Sequence, residues 1–230
     1  MLVKRSHIGW ALVVMLGCSG GAEQTAQEHE IISKPITFTE NRVAMTLDYI
    51  HLHYDSTAQD IVIDPQVIVA HWTAIPTFEA TFDAFDPESL PAARAGISRG
   101  GRVNVSSQFS VDRDGTIYQL MPDNWMARHT IGFNRIAIGI ENVGSSDMPL
   151  TDEQLAANEW LVRHLKAKYP GIKYLIGHHE YLEFRDTPLW AEKDSTYFTN
   201  KIDPGDEYMA RLRERVADLG LLARYEGPTM

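Results

Sequence analysis

The chain has a single cysteine, Cys18, so no disulfide within the chain can stabilise the folded body. It is also poor in basic residues, with 21 Lys and Arg against 31 Asp and Glu and a formal net charge of −10. No basic run offsets this balance, which argues against a nucleic-acid-binding protein. With 44% hydrophobic residues in 230, the chain is long enough for one domain with a sizeable core.

The first 18 residues are typical of an export signal. Lys4 and Arg5 precede an apolar run over residues 8–16, which is too short to span a bilayer stably. Cys18 follows this run directly, as in a bacterial lipobox whose cysteine is lipidated. A plain secretory signal with an incidental cysteine is the alternative. Residues 19–33 are small and polar, which predicts a flexible tether. We therefore expect an exported protein, lipid-anchored in the bacterial envelope on the periplasmic side, with the outer membrane as the expected membrane.

The remaining residues, 34–230, alternate strand-like and helix-like segments. Apolar runs at 67–70, 136–143 and 174–176 predict buried strands. The runs at 105–111 and 116–120 flank an Asp-Gly pair, which indicates a hairpin. Helical spacing covers 77–85, a capping box at Thr151 and Gln154 opens a second helix, and a final helix is predicted over 207–222. These patterns predict one α/β domain with a central mixed β-sheet flanked by helices.

Polar residues with catalytic potential stand at the ends of these strands. His71 and His178 each follow an apolar run, and Asp203 lies in an Asp-Pro-Gly turn two residues after Lys201. Two imidazoles and one carboxylate are a common catalytic zinc set that leaves a position free for water. A nearby lysine stabilises developing negative charge. The pattern indicates metal-assisted hydrolysis with Zn²⁺ as cofactor.

Four stretches together resemble a known family. They are VAHWTA at residues 69–74, FSVDRDGTIY at 109–118, IGIEN at 138–142, and GHHE at 177–180 with KIDPG at 201–205. In this order they are similar to the type-2, zinc-dependent N-acetylmuramoyl-L-alanine amidases. That family includes phage lysozyme-type amidases, the bacterial anhydro-muropeptide amidases and the peptidoglycan recognition proteins. The resemblance runs from about residue 67 to residue 206.

The resemblance implies a role for each matching residue. His71, His178 and Asp203 match the zinc ligands, Glu141 and Lys201 match catalytic positions, and His129 matches a histidine of the substrate groove. Trp72 and Arg135 are further candidates for substrate binding. Packing at the core or rim is the alternative for Trp72, and a solvated surface position is the alternative for Arg135.

Two departures from the family pattern stand out. Ser107 occupies a position where one branch has a catalytic tyrosine, so Glu141 would do that work. His178 and Asp203 are 25 positions apart, and the extra stretch at about 181–200 is an aromatic-rich insertion. It fits either a wall of the substrate groove or packing onto the core. His51 and His53, two residues apart, fit either a metal site on a strand or the polar face of an element.

The function that the resemblance implies is hydrolysis of the amide between N-acetylmuramic acid and L-alanine in peptidoglycan or muropeptides. The partners are then this substrate and, through Cys18, a membrane. A non-catalytic peptidoglycan-binding module is the alternative. A zinc peptidase is a weaker one, because no His-Glu-x-x-His helix exists here. The sequence does not indicate an oligomeric state.

Overall fold

The fold is built on one six-stranded sheet, seen in a computed structural model that describes residues 29–228. Its strands lie in the order β1-β4-β3-β5-β2-β6. Only the β3–β4 pair is antiparallel, and the other four pairs are parallel. The mixed sheet predicted from the sequence is therefore confirmed. The strands are β1 (Ile31–Ser33), β2 (Val67–Trp72), β3 (Phe109–Val111), β4 (Ile117–Gln119), β5 (Ala137–Asn142) and β6 (Tyr174–Gly177).

Helices complete the domain. Thr39, Thr77 and Thr151 act as N-caps, each accepting a hydrogen bond from a backbone N–H of the first helical turn. At Thr151 the capping box predicted with Gln154 is present in both directions. The α-helices are α1 (Glu40–His53), α2 (Phe78–Phe85), α3 (Ala95–Ser98), α4 (Asp152–Lys168) and α5 (Asp206–Arg215); 3₁₀ helices cover Ala92–Arg94, His178–Phe184 and Ala217–Leu219.

The centre of the sheet is apolar on both faces, as the continuous hydrophobic runs predict. Residues 67–70 of β2 have no exposed surface, and β5 and β6 on either side of it are nearly as deeply buried. Helices α4 and α5 contribute Leu161, Leu165 and Leu212 to the same core. A rigid centre of this kind holds the side chains at the carboxyl ends of β2, β5 and β6 at fixed positions.

The strand register places polar residues of three strands in one row. His71 of β2 pairs with Glu141 of β5, and Glu141 pairs with Ser110 of β3. Side chains at paired positions point to the same face of a sheet. One face therefore carries an imidazole, a carboxyl and a hydroxyl side by side at the ends of the parallel strands.

Some expected boundaries were wrong. The tether predicted over residues 19–33 ends earlier, because Ile31–Ser33 form β1 and pair with β4. The segment around His51 and His53 is the end of helix α1 and not a strand. The final helix ends at Arg215, and a 3₁₀ turn follows it.

Two expectations concern the chain's relation to a membrane. The export signal and Cys18 lie outside the described residues. Among residues 29–228, no helix combines the length and the apolar character needed to cross a bilayer.

Candidate metal centre

Three buried side chains meet at the carboxyl edge of the sheet. His71 lies at the end of β2, His178 directly follows β6, and Asp203 lies in the loop before α5. His71 Nδ1 is 2.9 Å from His178 Nδ1 and 3.2 Å from Asp203 Oδ2, and His178 Nδ1 is 3.1 Å from the same Oδ2. The three residues predicted as metal ligands are thus brought together, although they are far apart in sequence.

The electrostatics of this cluster favour the protonation states that a metal requires. Burial opposes ionisation of Asp203, but hydrogen bonds with His178 and His71 overcome it and hold its pKa well below the usual range. Burial, helped by the charge of His71, lowers the pKa of His178 to about 3. A neutral imidazole and an ionised carboxylate are the forms that coordinate metal ions.

The donor set fits zinc. Donor atoms around a tetrahedral zinc with bonds of about 2.0–2.1 Å lie roughly 3.3–3.4 Å apart. The three distances of 2.9–3.2 Å are within a few tenths of an ångström of that spacing. Two nitrogens and one carboxylate oxygen in one close group match the donor set of a catalytic zinc site with three protein ligands.

The His71 ring is held from behind by His129. His71 Nε2 lies 3.1 Å from His129 Nδ1. With a metal ion on Nδ1, the neutral His71 ring would carry its proton on Nε2 and donate it to His129. His129 Nδ1 is also 2.9 Å from Thr130 Oγ1, and its Nε2 is 3.4 Å from Ala137 O. Burial first, and then the charges of His71 and His178, lower the pKa of His129, which keeps its ring neutral. Such partners orient ligand rings.

A glycine makes the His129 contact sterically possible. Gly139 lies in β5 on the face that carries His71 and Glu141, and the His129 ring lies against its Cα. A Cβ at this position would be 2.9 Å from Cγ and Nδ1 of the His129 ring, closer than real side chains approach. Any larger residue at 139 would force the His129 ring or the strand to shift.

The other two ligands are fixed through the backbone that surrounds them. His179 N donates to Asp203 O at 2.9 Å, and Glu180 Oε2 accepts from Gly177 N at 2.7 Å. The His179 side chain turns away from the cluster, and its Nε2 is 2.9 Å from Asp206 Oδ1. His179 lies in the 3₁₀ helix that follows β6, which sets this direction.

Glu141 presents a carboxyl group beside the cluster. Its Oε2 is buried and has no hydrogen-bond partner among the described residues. Burial, reinforced by the charge of Asp203, outweighs the opposing effects of His71 and Lys201 and raises the pKa of Glu141 to about 7. Ser110 Oγ, at the paired position of β3, is likewise buried without a partner. A carboxyl with a pKa near neutrality suits general acid–base chemistry.

These groups line one open cavity of about 390 Å³. Of the residues predicted from the sequence, it is lined by His71, Trp72, His129, Glu141, His178, Lys201 and Asp203. Arg135 is the exception, because it lies outside the lining and donates to Val62 O at 2.8 Å. This position matches the surface alternative, and substrate binding by Arg135 stays a prediction.

The insertion at 181–200 contributes to both packing and the cavity. Tyr181, Phe184 and Tyr197 are buried in the core, which matches the packing interpretation. Tyr197 and Thr199 also reach the cavity wall. Sequence reasoning did not identify two further lining residues, Arg94 and Arg128, because neither belongs to a recognisable motif.

Comparison with known proteins decides the family. A family model described as N-acetylmuramoyl-L-alanine amidase (Amidase_2) matches residues 62–206, more than half of the chain. The chain belongs to this amidase family. No curated protein matches the amidase chain significantly.

Solved structures share the amidase fold. Endolysin LysCS of Clostridium intestinale URNW is 18% identical with a TM-score of 0.52, covering 84% of this chain and 98% of its own. A selenomethionine derivative of AmpD is 20% identical with a TM-score of 0.52, covering 81% and 94%. AmiD of E. coli, solved with anhydro-N-acetylmuramic acid-L-Ala-D-γ-Glu-L-Lys, is 22% identical with a TM-score of 0.45, covering 73% and 62%.

The raised pKa of Glu141 predicts that the metal-free amidase loses folding stability as the pH rises. Between pH 4.5 and about 7 the unfolded chain ionises this carboxyl before the folded chain does, so stability falls as pH rises. Glu141→Gln removes the charge and should raise the free energy of unfolding by about 1–3 kcal/mol at pH 8. The gain should shrink to less than about 1 kcal/mol at pH 5.

Urea unfolding in the presence of a chelator measures both values. The exposed Glu183, changed to Gln, is the matched control and should show no such pH dependence. An equal effect of Glu141→Gln at both pH values would contradict the burial argument.

Proposed function

We propose that this protein is a zinc-dependent hydrolase of the amide bond between N-acetylmuramic acid and L-alanine in peptidoglycan or muropeptides. The observation that carries the proposal is the convergence of His71, His178 and Asp203 in one cavity with Glu141 and Lys201. Membership of the amidase family supports the same substrate class.

Each residue would have a distinct task in the reaction. His71, His178 and Asp203 would hold Zn²⁺, which supplies Lewis-acid activation of water and of the scissile carbonyl. Glu141, with its pKa near neutrality, accepts the proton of the attacking water and later donates it to the departing amine. Lys201, at the cavity mouth, stabilises the negative charge that develops on the carbonyl oxygen.

Two further residues of the cavity have supporting tasks in this proposal. Trp72 offers a half-buried aromatic surface for substrate contact. His129 lines the cavity and also holds the His71 ring, so we assign it to positioning as well as to the groove.

The alternative function is a peptidoglycan-binding module without catalysis. Binding alone requires neither a complete donor set nor a carboxyl with a pKa near neutrality beside it. Both are present here, which favours hydrolysis.

Mass spectrometry of products tests the proposed reaction directly. The zinc-loaded protein should convert anhydro-N-acetylmuramic acid-L-Ala-D-γ-Glu-L-Lys to the free sugar and an intact tripeptide. Glu141→Ala should keep its zinc and lose about 10²–10⁴-fold in kcat, because the proton acceptor is gone. Asp203→Ala should lose both zinc and turnover, because the ligand set is broken.

Other outcomes would point elsewhere. A shortened peptide would indicate a peptidase. A zinc-containing protein that binds the muropeptide without cleaving it would be a binding module. Full activity of Glu141→Ala would remove Glu141 from the mechanism.

The contact between His129 and His71 predicts an effect on metal affinity. His129→Ala removes the acceptor that fixes the His71 ring, and zinc affinity should fall about 10- to 100-fold. Competition with a chromophoric chelator measures it. His164→Ala, whose ring stacks on Trp160 of the same helix α4, is the control and should bind zinc normally. Unchanged affinity in His129→Ala would rule out the positioning task.

We further propose that the protein is exported and lipid-anchored through Cys18 in the bacterial envelope, with the outer membrane as its site. The support is the sequence of the first 18 residues. In the native host, Cys18→Ser should move the protein from the membrane fraction to the soluble fraction, while its folded domain is unchanged. Membrane association that survives this substitution would argue against a lipid anchor.

A further inference from the structure

Arg94 differs from the other cations of the cavity. It ends the 3₁₀ helix Ala92–Arg94, is half-buried and lies in the cavity wall. Within residues 29–228, its guanidinium forms no hydrogen bond or ion pair with another described side chain. A partly desolvated guanidinium without a partner is costly unless a ligand supplies one.

Arg128 shows what a structural arginine looks like in the same cavity. Its guanidinium donates to the backbone oxygens of Gly101, Val103 and Ile97 at 2.6–3.1 Å. A fourth bond, of 2.9 Å, goes to the Tyr197 hydroxyl. These four hydrogen bonds commit Arg128 to holding the cavity wall together. Arg94 has no such task, which leaves its five donors available to a ligand.

Arg94 also lies within electrostatic reach of the reacting groups. Its charge is among those that lower the pKa of Glu141 against the larger effect of burial. The acids of the cavity already have tasks, because Asp203 joins the two histidines and Glu141 faces the cluster. An anion carried by the substrate is therefore the natural partner for Arg94 in this cavity.

The chemistry of the proposed substrate restricts where that anion is. N-acetylated and anhydro sugars carry no charge beside the scissile amide, and L-alanine is bonded at both ends. In the muropeptide solved with AmiD, the next residue is a γ-linked glutamate, and its γ-linkage leaves the α-carboxylate free. This is the first anionic group beyond the bond that is cleaved. The planar fork of an arginine binds a carboxylate through two parallel hydrogen bonds.

We propose that Arg94 binds the free α-carboxylate of the γ-linked glutamate and so determines specificity for the stem peptide. The inference rests on the proposed function and adds to it the orientation of the bound substrate. The stem peptide leaves the metal centre toward the 3₁₀ helix Ala92–Arg94, and the neutral sugar occupies the rest of the cavity.

A matched pair of substrates tests this contact. One is the anhydro-muramyl tripeptide with a free glutamate α-carboxylate, and the other has an α-carboxamide at that position and is otherwise identical. The zinc-loaded wild-type protein should cleave the carboxylate form with a kcat/KM about 10- to 100-fold higher, as expected for hydrogen bonds to a charged group. In Arg94→Ala the ratio should fall to about 1, through loss on the carboxylate substrate alone.

Two further variants sharpen the comparison. Arg94→Lys keeps the positive charge but lacks the paired N–H donors of a guanidinium. Its ratio of kcat/KM values on the two substrates should be intermediate. Arg102→Ala removes an exposed arginine from the same segment that does not line this cavity, and it should keep the wild-type ratio. Zinc content and thermal unfolding of each variant establish that the fold and the metal centre are retained.

The possible failures are distinguishable. A wild-type protein that cleaves both substrates equally well would overturn the inference and leave the amidase function standing, whatever the variants do. Equal loss on both substrates in Arg94→Ala would place the side chain against the sugar or the peptide backbone and would also overturn it. A zinc-loaded wild-type protein that cleaves neither substrate would refute the proposed function and the inference together.

Discussion

The site depends on three polar atoms held within about 3 Å of one another in a buried place. His71 Nδ1, His178 Nδ1 and Asp203 Oδ2 have little access to water, and burying them has a desolvation cost. Only a rigid support can keep such a cluster from relaxing. The apolar centre of the sheet provides it, since β2 and β6 pair directly, His71 lies near the end of β2 and His178 directly follows β6. The core is thus a condition for the chemistry as well as for stability.

The same sheet sets the order of the reacting groups. Parallel register places Glu141 beside His71 and Ser110 beside Glu141, so their spacing follows from the backbone and not from flexible loops. The loop residues differ in kind. Asp203 is tied to the histidine segment through its own carbonyl, while Lys201 and Arg94 stand at the wall of the cavity. The candidate metal ligands are rigidly placed, and the candidate substrate-binding groups stand around them.

Much of this could be predicted from sequence, because local signals were strong. The strands β2, β5 and β6 are continuous apolar runs, and Asp114-Gly115 lies in a hairpin turn. The motif at 201–205 indicated Asp203. Helix α1 was missed because His51 and His53 alternate with apolar residues like a strand, although His53 is bound to Glu192 and to Gly100 O. The sequence did not indicate that Arg94 lines the cavity while Arg135 does not, since only the folded loops decide which arginine meets it.

The candidate metal centre depends on Gly139, although this residue has no side chain, because the His129 ring that contacts His71 lies against it. Strand propensity alone would favour a β-branched residue there, yet the space it would fill belongs to an imidazole. A change from glycine to alanine would place a methyl group against that ring, so either the ring or the strand has to move. Residue 139 therefore couples the packing of β5 to the position of the His71 ring.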